Sequence, residues 1–172
     1  MTIKIRQAQP KELKEIISLR LTLLKRYPQA FLATYEEEVN KSFEEWKDWF
    51  ASLRKERNSN LFVGEDKNAL VGMVICRGGR HKRAEHIATV DFLGVSPSYQ
   101  GRGLGKVLMK KLINWTKRRT SICRLQLVVY ADNKKALSLY RKLGFKKEGV
   151  FPRYAKTKEG GYQTGILMAL YL

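Results

Sequence analysis

The sequence predicts an α/β fold with three layers, in which helices cover both faces of a mixed β-sheet. Segments with strand-like and helix-like apolar spacing follow one another in the order β-α-α-β-β-β-α-β-α-β-β. Residues 87–95 are almost all apolar, which is typical of a central strand. A glycine-rich turn at residues 100–105 joins that strand to an amphipathic helix. These observations together predict the fold class.

The first third of the chain is predicted to supply one strand and two helices. Ile3 and Ile5 alternate with basic residues, as in a strand with one buried face. Pro10 opens the first helix, where the missing proline amide costs little, and Pro28 ends it. A capping box at residues 42–45 starts the second helix. The apolar side chains of this helix are expected in the core: Trp46, Trp49, Phe50 and Leu53.

The remaining elements follow in close succession. Strands at Leu61 to Glu65 and Ala69 to Cys76 are predicted to form a hairpin. After the central strand, a helix from Leu104 to Lys117 and a strand from Ile122 to Tyr130 are expected. The helix residues expected to face the sheet are Leu104, Val107, Leu108, Leu112 and Trp115. The last elements are a helix from Asp132 or Asn133 to Gly144 and strands at Phe145 to Val150 and Ile166 to Leu172.

The composition is that of a globular protein with a high positive charge. Hydrophobic residues make up 44% of the 172 residues, and the net charge is +18. No apolar run is long enough to span a membrane, and the N-terminus has no signal-peptide core. We therefore expect one cytoplasmic domain, residues 1–172, without a membrane partner; a homodimer is left open. The basic residues are spread along the chain without a nucleic-acid-binding motif, so no nucleic-acid partner is expected.

The cysteines and histidines do not indicate a disulfide or a metal site. Cys76 and Cys123 are isolated, which is typical of reduced, buried thiols in the cytoplasm. His81 and His86 have no cysteine or paired carboxylate at ligand spacing. We therefore expect no metal ion.

The segment Gln100-Gly101-Arg102-Gly103-Leu104-Gly105 has the properties of a phosphate-binding turn. The first amides of a helix lack intrahelical acceptors, and glycines let the backbone approach an anion. The segment is not a P-loop, because Val107 follows Lys106 where a hydroxyl is required, and its glycine spacing differs from the dinucleotide fingerprint. It is similar to Gln/Arg-x-x-Gly-x-Gly/Ala, the acetyl-CoA pyrophosphate loop of the GNAT N-acetyltransferases.

A second motif supports the same resemblance. Residues 133–145 resemble the family's Asn-x-x-Ala-x-x-x-Tyr-x-x-x-Gly-Phe segment, with Asn133, Ala136, Tyr140, Gly144 and Phe145 at the matching positions. The resemblance covers essentially the whole chain. It implies a small, bacterial-type GNAT fold with a mostly antiparallel sheet, and an N-acetyltransferase that uses acetyl-CoA.

The resemblance also implies which residues bind acetyl-CoA. Loop amides would hold the pyrophosphate, with charge added by Arg102 or Lys106. Backbone groups at the end of the central strand would hold the pantetheine like an added strand, and an amide there would stabilise the oxyanion. Asn133 would contact the cofactor, although a simple helix cap would also explain it. The implied cofactor-binding residues are Leu93, Gly94, Val95, Gln100, Gly101, Arg102, Gly103, Leu104, Gly105, Lys106, Asn133 and Tyr140.

Two side chains are candidates for proton transfer. In the family, the tyrosine that matches Tyr140 protonates the departing CoA thiolate; a core tyrosine on an apolar stripe is the alternative. Some relatives place a glutamate near Val90 as the general base. Asp91, one residue further, would point to the other face of the sheet unless a bulge intervenes. Glu85 and a base acting through water stay open.

Two further features lie outside these residues: one departs from the family pattern, and the other concerns the acceptor amine. Residues 162–168 resemble the family's Tyr-x-Asp-Glu-x-x-Met ending, but Thr164 and Gly165 replace the acidic pair. Six of the 16 acidic residues lie in the region of the first two helices: Glu36, Glu37, Glu38, Glu44, Glu45 and Asp48. They would attract a cationic acceptor, or else form a solvated helix face with local pairs.

The resemblance therefore implies direct acetyl transfer, in a ternary complex, to a small-molecule or protein amine. Two alternatives stay open. One is a GNAT-fold module that binds CoA without turnover, and the other is a basic, RNA-associated acetyltransferase of proteins.

Overall fold

The strands and helices follow the predicted order, with one short helix added. A computed structural model describes residues 3–172. The strands are β1 (Lys4–Gln7), β2 (Asn60–Asp66), β3 (Ala69–Gly78), β4 (Ile87–Val95), β5 (Arg124–Tyr130), β6 (Lys146–Lys156) and β7 (Tyr162–Tyr171). The helices are α1 (Leu13–Arg26), α2 (Tyr35–Glu38), α3 (Phe43–Lys55), α4 (Leu104–Lys117) and α5 (Lys134–Lys142). The additional helix is α2, a single turn.

The sheet is antiparallel except between its two central strands. Within the described residues its order is β1-β2-β3-β4-β5-β7-β6. β4 and β5 run parallel, but they pair only over residues 87–89 and 124–126. Beyond these residues, β4 and β5 do not pair with each other. The mixed α/β class and the mostly antiparallel sheet are thus confirmed.

Two apolar clusters hold the layers together, one on each face of the sheet. On one face, α1 and α3 pack through residues such as Leu23 and Phe50. On the other face, α4 and α5 pack through residues such as Leu108 and Leu137. The aromatic stripe predicted for α3 lies in the core, with Trp46 buried and Trp49 half-buried. Within residues 3–172, no helix is long and apolar enough to cross a membrane.

The predicted inner face of α4 is wrong at one position. Val107 is 49% exposed, whereas Met109 and Ile113 are buried. Residues four apart lie on one face of a helix, so the stripe that begins at Leu104 continues through Leu108 and Leu112. Val107 lies outside that stripe, beside exposed lysines.

The last hairpin and one cysteine also differ from the prediction. β6 extends six residues beyond the predicted end at Val150, because its register against β7 shifts after Phe151 and hides the alternation. Both cysteines are free, as expected, but Cys123 is exposed. Cys76 is buried, and burial raises the pKa of its thiol to about 12.

Candidate active site

The divergence of β4 from β5 opens a groove through the sheet. It consists of two adjoining cavities of about 230 Å³ and 640 Å³. The smaller cavity is lined by both diverging strands, and the larger one continues to the glycine turn. Residues that line both are Ala30, Phe31, Leu93, Asn133 and Ala136. A long, thin substrate can therefore lie in one continuous groove.

The glycine turn has the backbone geometry of an anion site. Gly101 and Gly103 have φ angles of 74° and 81°, and Gly103 is the N-cap of α4. A Cβ at either position would meet nothing within 4 Å, so the requirement for glycine there is conformational. Gln100 and Gly105 line the larger cavity. The amides at the start of α4 are thus held beside the groove.

The other loop residues have different surroundings. The Leu104 side chain is buried in the core, and Leu104 is absent from the lining of both cavities. Arg102 and Lys106 are exposed and lie outside the lining of either cavity. The guanidinium carbon of Arg102 lies 5.8 Å from the centroid of the Tyr99 ring.

Replacing Gly103 with Ala is expected to weaken acetyl-CoA binding by about tenfold. The left-handed conformation costs an L-residue roughly 1–2 kcal/mol, so the turn relaxes and its amides move. Isothermal titration with acetyl-CoA measures the effect. Gly160→Ala is the matched control, because Gly160 has φ 84° with equally open surroundings, in the β6–β7 turn. Equal weakening in both variants would contradict a binding role for the loop.

The end of β4 contributes its backbone to the groove. Leu93, Gly94 and Val95 all line the larger cavity, as expected for a pantetheine-binding edge. The carbonyl of Val95 accepts a hydrogen bond of 3.0 Å from the Gln100 side chain. A Cβ on Gly94 would lie 2.5 Å from Cδ1 of Leu23, so glycine lets α1 approach β4 closely.

Asn133 and Tyr140 both lie on the groove. The Asn133 side chain accepts a hydrogen bond of 3.1 Å from the amide of Ala136, so it is the cap of α5, and it also lines both cavities. Tyr140 is buried and lines the smaller cavity. Its hydroxyl makes no hydrogen bond within residues 3–172. Burial raises its pKa, so the phenol keeps its proton at neutral pH.

Asp91 lines the smaller cavity and lies at a bulge in β4. Val90 and Phe92 pair with consecutive residues of β3, which leaves Asp91 without a register partner. As a result Val90 packs against α4 and α5, whereas Phe92 packs against α1 and α3. The Asp91 carboxylate lies 3.6 Å from Nε of Arg77 and its side chain is 47% exposed. β4 therefore contains the bulge that a role for Asp91 as general base would require.

Glu85, the other candidate base, lies elsewhere. Its carboxylate accepts a hydrogen bond of 3.0 Å from Arg57. Glu85 is absent from the lining of both cavities. Within the described chain, no group of three His, Cys, Asp or Glu residues is arranged to hold a metal ion.

Phe31 forms one wall of the smaller cavity and is held by a buried ion pair. Its ring stacks on Phe92 with centroids 4.3 Å apart. The guanidinium of Arg20 lies 4.5 Å from the Phe92 centroid and donates hydrogen bonds of 2.6 and 2.7 Å to Glu38. Because Arg20 and Glu38 lie on α1 and α2, this pair fixes the connection that carries Phe31.

Tyr154 forms the opposite wall of the smaller cavity. The sequence did not predict this residue as part of the site. The register of β6 shifts between residues 151 and 155, and Arg153 within the shift has φ 53°. This irregularity brings Tyr154 to the smaller cavity, with its centroid 6.2 Å from that of Tyr130. The strand prediction ended at Val150, so it contained no signal for this side chain.

Gly165 makes room for that wall. A Cβ on Gly165 would lie 2.8 Å from Cγ of Tyr154 and 2.9 Å from Cγ1 of Val128. The departure from the family's acidic pair therefore has a structural consequence. The missing side chain leaves space for an aromatic ring at the groove.

The acidic residues of the helical region mostly serve local contacts. Asp48 is exposed, and each of the other five accepts a hydrogen bond from a neighbouring group. The partners are Lys158 for Glu36, Thr34 for Glu37, Arg20 for Glu38, Lys47 for Glu44 and Ser42 for Glu45. Local pairing therefore accounts for most of this acidic concentration.

Residues 20–145 match the model of the acetyltransferase (GNAT) family. The chain belongs to the GNAT family. This confirms the resemblance found in the sequence, and the protein is an acetyl-CoA-dependent N-acetyltransferase.

Known members of the family share the sequence and the fold. The ribosomal protein bS18-alanine N-acetyltransferase of Haemophilus influenzae is 32% identical, over 83% of this chain and 92% of that protein. A GNAT acetyltransferase structure from Streptococcus pneumoniae has a TM-score of 0.88 at 27% identity, covering 99% of this chain and 100% of that one. An acetyltransferase from Salmonella typhimurium with its cofactor acetyl-CoA has a TM-score of 0.85 at 18% identity, covering 100% and 95%, and shares the fold.

Proposed function

We propose that this GNAT enzyme transfers the acetyl group to the terminal α-amine of a protein or peptide, by direct attack in a ternary complex. Acetyl-CoA would lie along the larger cavity, with its pyrophosphate on the loop 100–105 and its pantetheine on residues 93–95. The acceptor would enter between Phe31 and Tyr154. Tyr140 would protonate the CoA thiolate, and Asp91, directly or through water, would accept the proton of the amine.

The observation that carries this proposal is the lining of the smaller cavity. Its lining among the described residues includes one carboxylate, Asp91, and that carboxylate is already close to Arg77. The other lining is largely aromatic or aliphatic. A polyamine with several cationic nitrogens would find too few partners there, whereas a single amine on an otherwise neutral chain would fit.

The acidity of the amine favours the same acceptor. An α-amine has a pKa of about 7.7–8.0, so roughly a tenth is free base at pH 7, against less than about a thousandth of a lysine side chain. An amine that is already partly free base needs less help from a general base. The bS18-alanine acetyltransferase to which the chain is similar has a protein substrate of this kind.

A comparison of three acceptors tests the proposal. We expect kcat/KM for a short peptide with a free N-terminal alanine to exceed that for spermidine by about tenfold or more. The third acceptor is the same peptide with a blocked N-terminus and an internal lysine. CoA release is the measurement. Preference for spermidine or lysine would refute the α-amine assignment, and binding of acetyl-CoA without any turnover would favour a non-catalytic module.

We also propose that residues 1–172 act as one catalytic domain in the cytoplasm. The continuous sheet from β1 to β7 supports a single unit. The two unpaired cysteines suit a reducing compartment.

A further inference from the structure

The two faces of the sheet carry very different charge. Residues 92–147, which include α4 and α5, contain 14 of the 34 lysines and arginines but one of the 16 acidic residues, Asp132. Residues 10–56, which include α1, α2 and α3, contain nine basic and nine acidic residues. Charge that looks dispersed along the chain is therefore separated by the fold into a neutral layer and a cationic layer.

Ten exposed side chains form this cationic layer, here called the basic face. They are Lys106, Lys110, Lys111, Lys117, Arg118, Arg119, Lys134, Lys135, Arg141 and Lys142. The ion pairs within residues 3–172 all lie elsewhere. In the opposite layer, by contrast, Glu38, Glu44 and Glu56 form ion pairs with nearby basic side chains. Eight of these charges lie on α4 and α5 and two directly follow α4, and like charges this close repel one another unless an anionic partner covers them.

The cofactor accounts for only part of this charge. Lys134 and Lys135 line the larger cavity and suit the phosphates of CoA. Lys117 lies at the other end of α4, about 20 Å from its N-terminus at 1.5 Å per residue. Arg118 and Arg119 lie beyond it. A partner that covers the whole basic face must be a longer polyanion.

We propose that the basic face binds RNA through its phosphodiester backbone. The guanidinium carbon of exposed Arg119 lies 4.1 Å from the Trp115 ring centroid, which offers a planar cation on which an unpaired base can stack. α4 and α5 lie flat on the sheet, so neither projects into a DNA major groove. Their apolar sides are buried in the core, which leaves little to insert into a membrane.

Two variants with the same net charge provide the test. Lys110→Gln, Lys111→Gln, Arg141→Gln and Lys142→Gln together neutralise part of the basic face outside the cofactor groove. The matched control carries Lys11→Gln, Lys14→Gln, Arg54→Gln and Lys55→Gln, which neutralise four exposed residues of the opposite layer. None of the eight side chains takes part in an ion pair within residues 3–172. Acetyl transfer to a small amine checks that both variants fold and bind acetyl-CoA.

Fluorescence anisotropy with a labelled single-stranded RNA of about 20 nucleotides measures binding between 50 and 250 mM KCl. We expect the basic-face variant to bind RNA at least about tenfold more weakly than the unmodified protein. The slope of log K against log[KCl] should also be smaller in magnitude by up to about 3, because each lost phosphate contact lowers it by about 0.7. The control variant is expected to stay within about twofold of the unmodified protein.

Several results would overturn the proposal. Equal weakening in both variants would mean that net charge alone attracts RNA. Undetectable binding at 50 mM KCl would exclude an RNA-binding surface. Equal or tighter binding of duplex DNA, polyglutamate or anionic vesicles would assign the basic face to another partner.

Discussion

Tyr140→Phe is expected to lower kcat by about a hundredfold, with little change in the KM for acetyl-CoA. The phenol lines the smaller cavity and is the donor that we propose for the leaving thiolate. General-acid groups typically contribute between about 10² and 10⁴ in rate. Because the hydroxyl makes no hydrogen bond within the described chain, its removal should change the free energy of unfolding by less than about 1 kcal/mol. Steady-state kinetics and thermal melts measure both quantities.

The pH dependence provides a second test of the same role. Burial raises the pKa of Tyr140 in the folded chain, so the phenol remains a donor through neutral and mildly alkaline pH. Activity of the unmodified enzyme should therefore rise as the acceptor amine loses its proton and should not fall again below about pH 9 through Tyr140. The free energy of unfolding should instead fall above about pH 10, because the unfolded chain then ionises this tyrosine while the folded chain does not.

A remote tyrosine serves as the control for Tyr140. The Tyr171 hydroxyl contacts Arg124 and Glu148 at the far end of β7, outside both cavities. Tyr171→Phe should leave kcat unchanged within about twofold. If Tyr140→Phe behaved like Tyr171→Phe, Tyr140 would be a core residue and another group would protonate the thiolate.

Gly165→Ala is expected to lower the free energy of unfolding by roughly 2 kcal/mol and to raise the KM for the acceptor amine. The added methyl would lie 2.8 Å from the root of the Tyr154 ring and 2.9 Å from Val128, and neither atom is the free end of a flexible side chain. Overpacking of this kind typically costs about 1–3 kcal/mol. Displacement of Tyr154 would change one wall of the smaller cavity, where we propose that the acceptor enters. Chemical denaturation and acceptor kinetics measure the two effects.

Gly149→Ala on the neighbouring strand is the matched control. A Cβ there would lie 3.8 Å from Cβ of Leu167, an ordinary contact, so the variant should be neutral within about 0.5 kcal/mol. Tyr154→Ala in the Gly165→Ala background should recover part of the lost stability. If it recovers none, the clash lies with Val128 rather than with the aromatic wall.

Much of the fold could be predicted because its signals are local. The apolar run of β4, the glycines at 101 and 103 and the Asn133 cap each depend on backbone preferences within a few residues. Two motifs on expected elements also identified the family, and the comparisons confirm it. The strand limits were less accurate at β6, because the register shift near Phe151 interrupts the alternation on which strand prediction depends.

The sequence by itself determined the fold class, the acetyl-CoA chemistry and the high net charge of this protein, since composition and short motifs carry that information. Only the tertiary structure decided how distant residues combine. The β4 bulge lies at Asp91 on the wall of the smaller cavity, the space left by Gly165 admits Tyr154, and the sheet places ten exposed cations with almost no acidic neighbours on one face. These arrangements depend on register and packing between segments far apart in the chain, which no local pattern records.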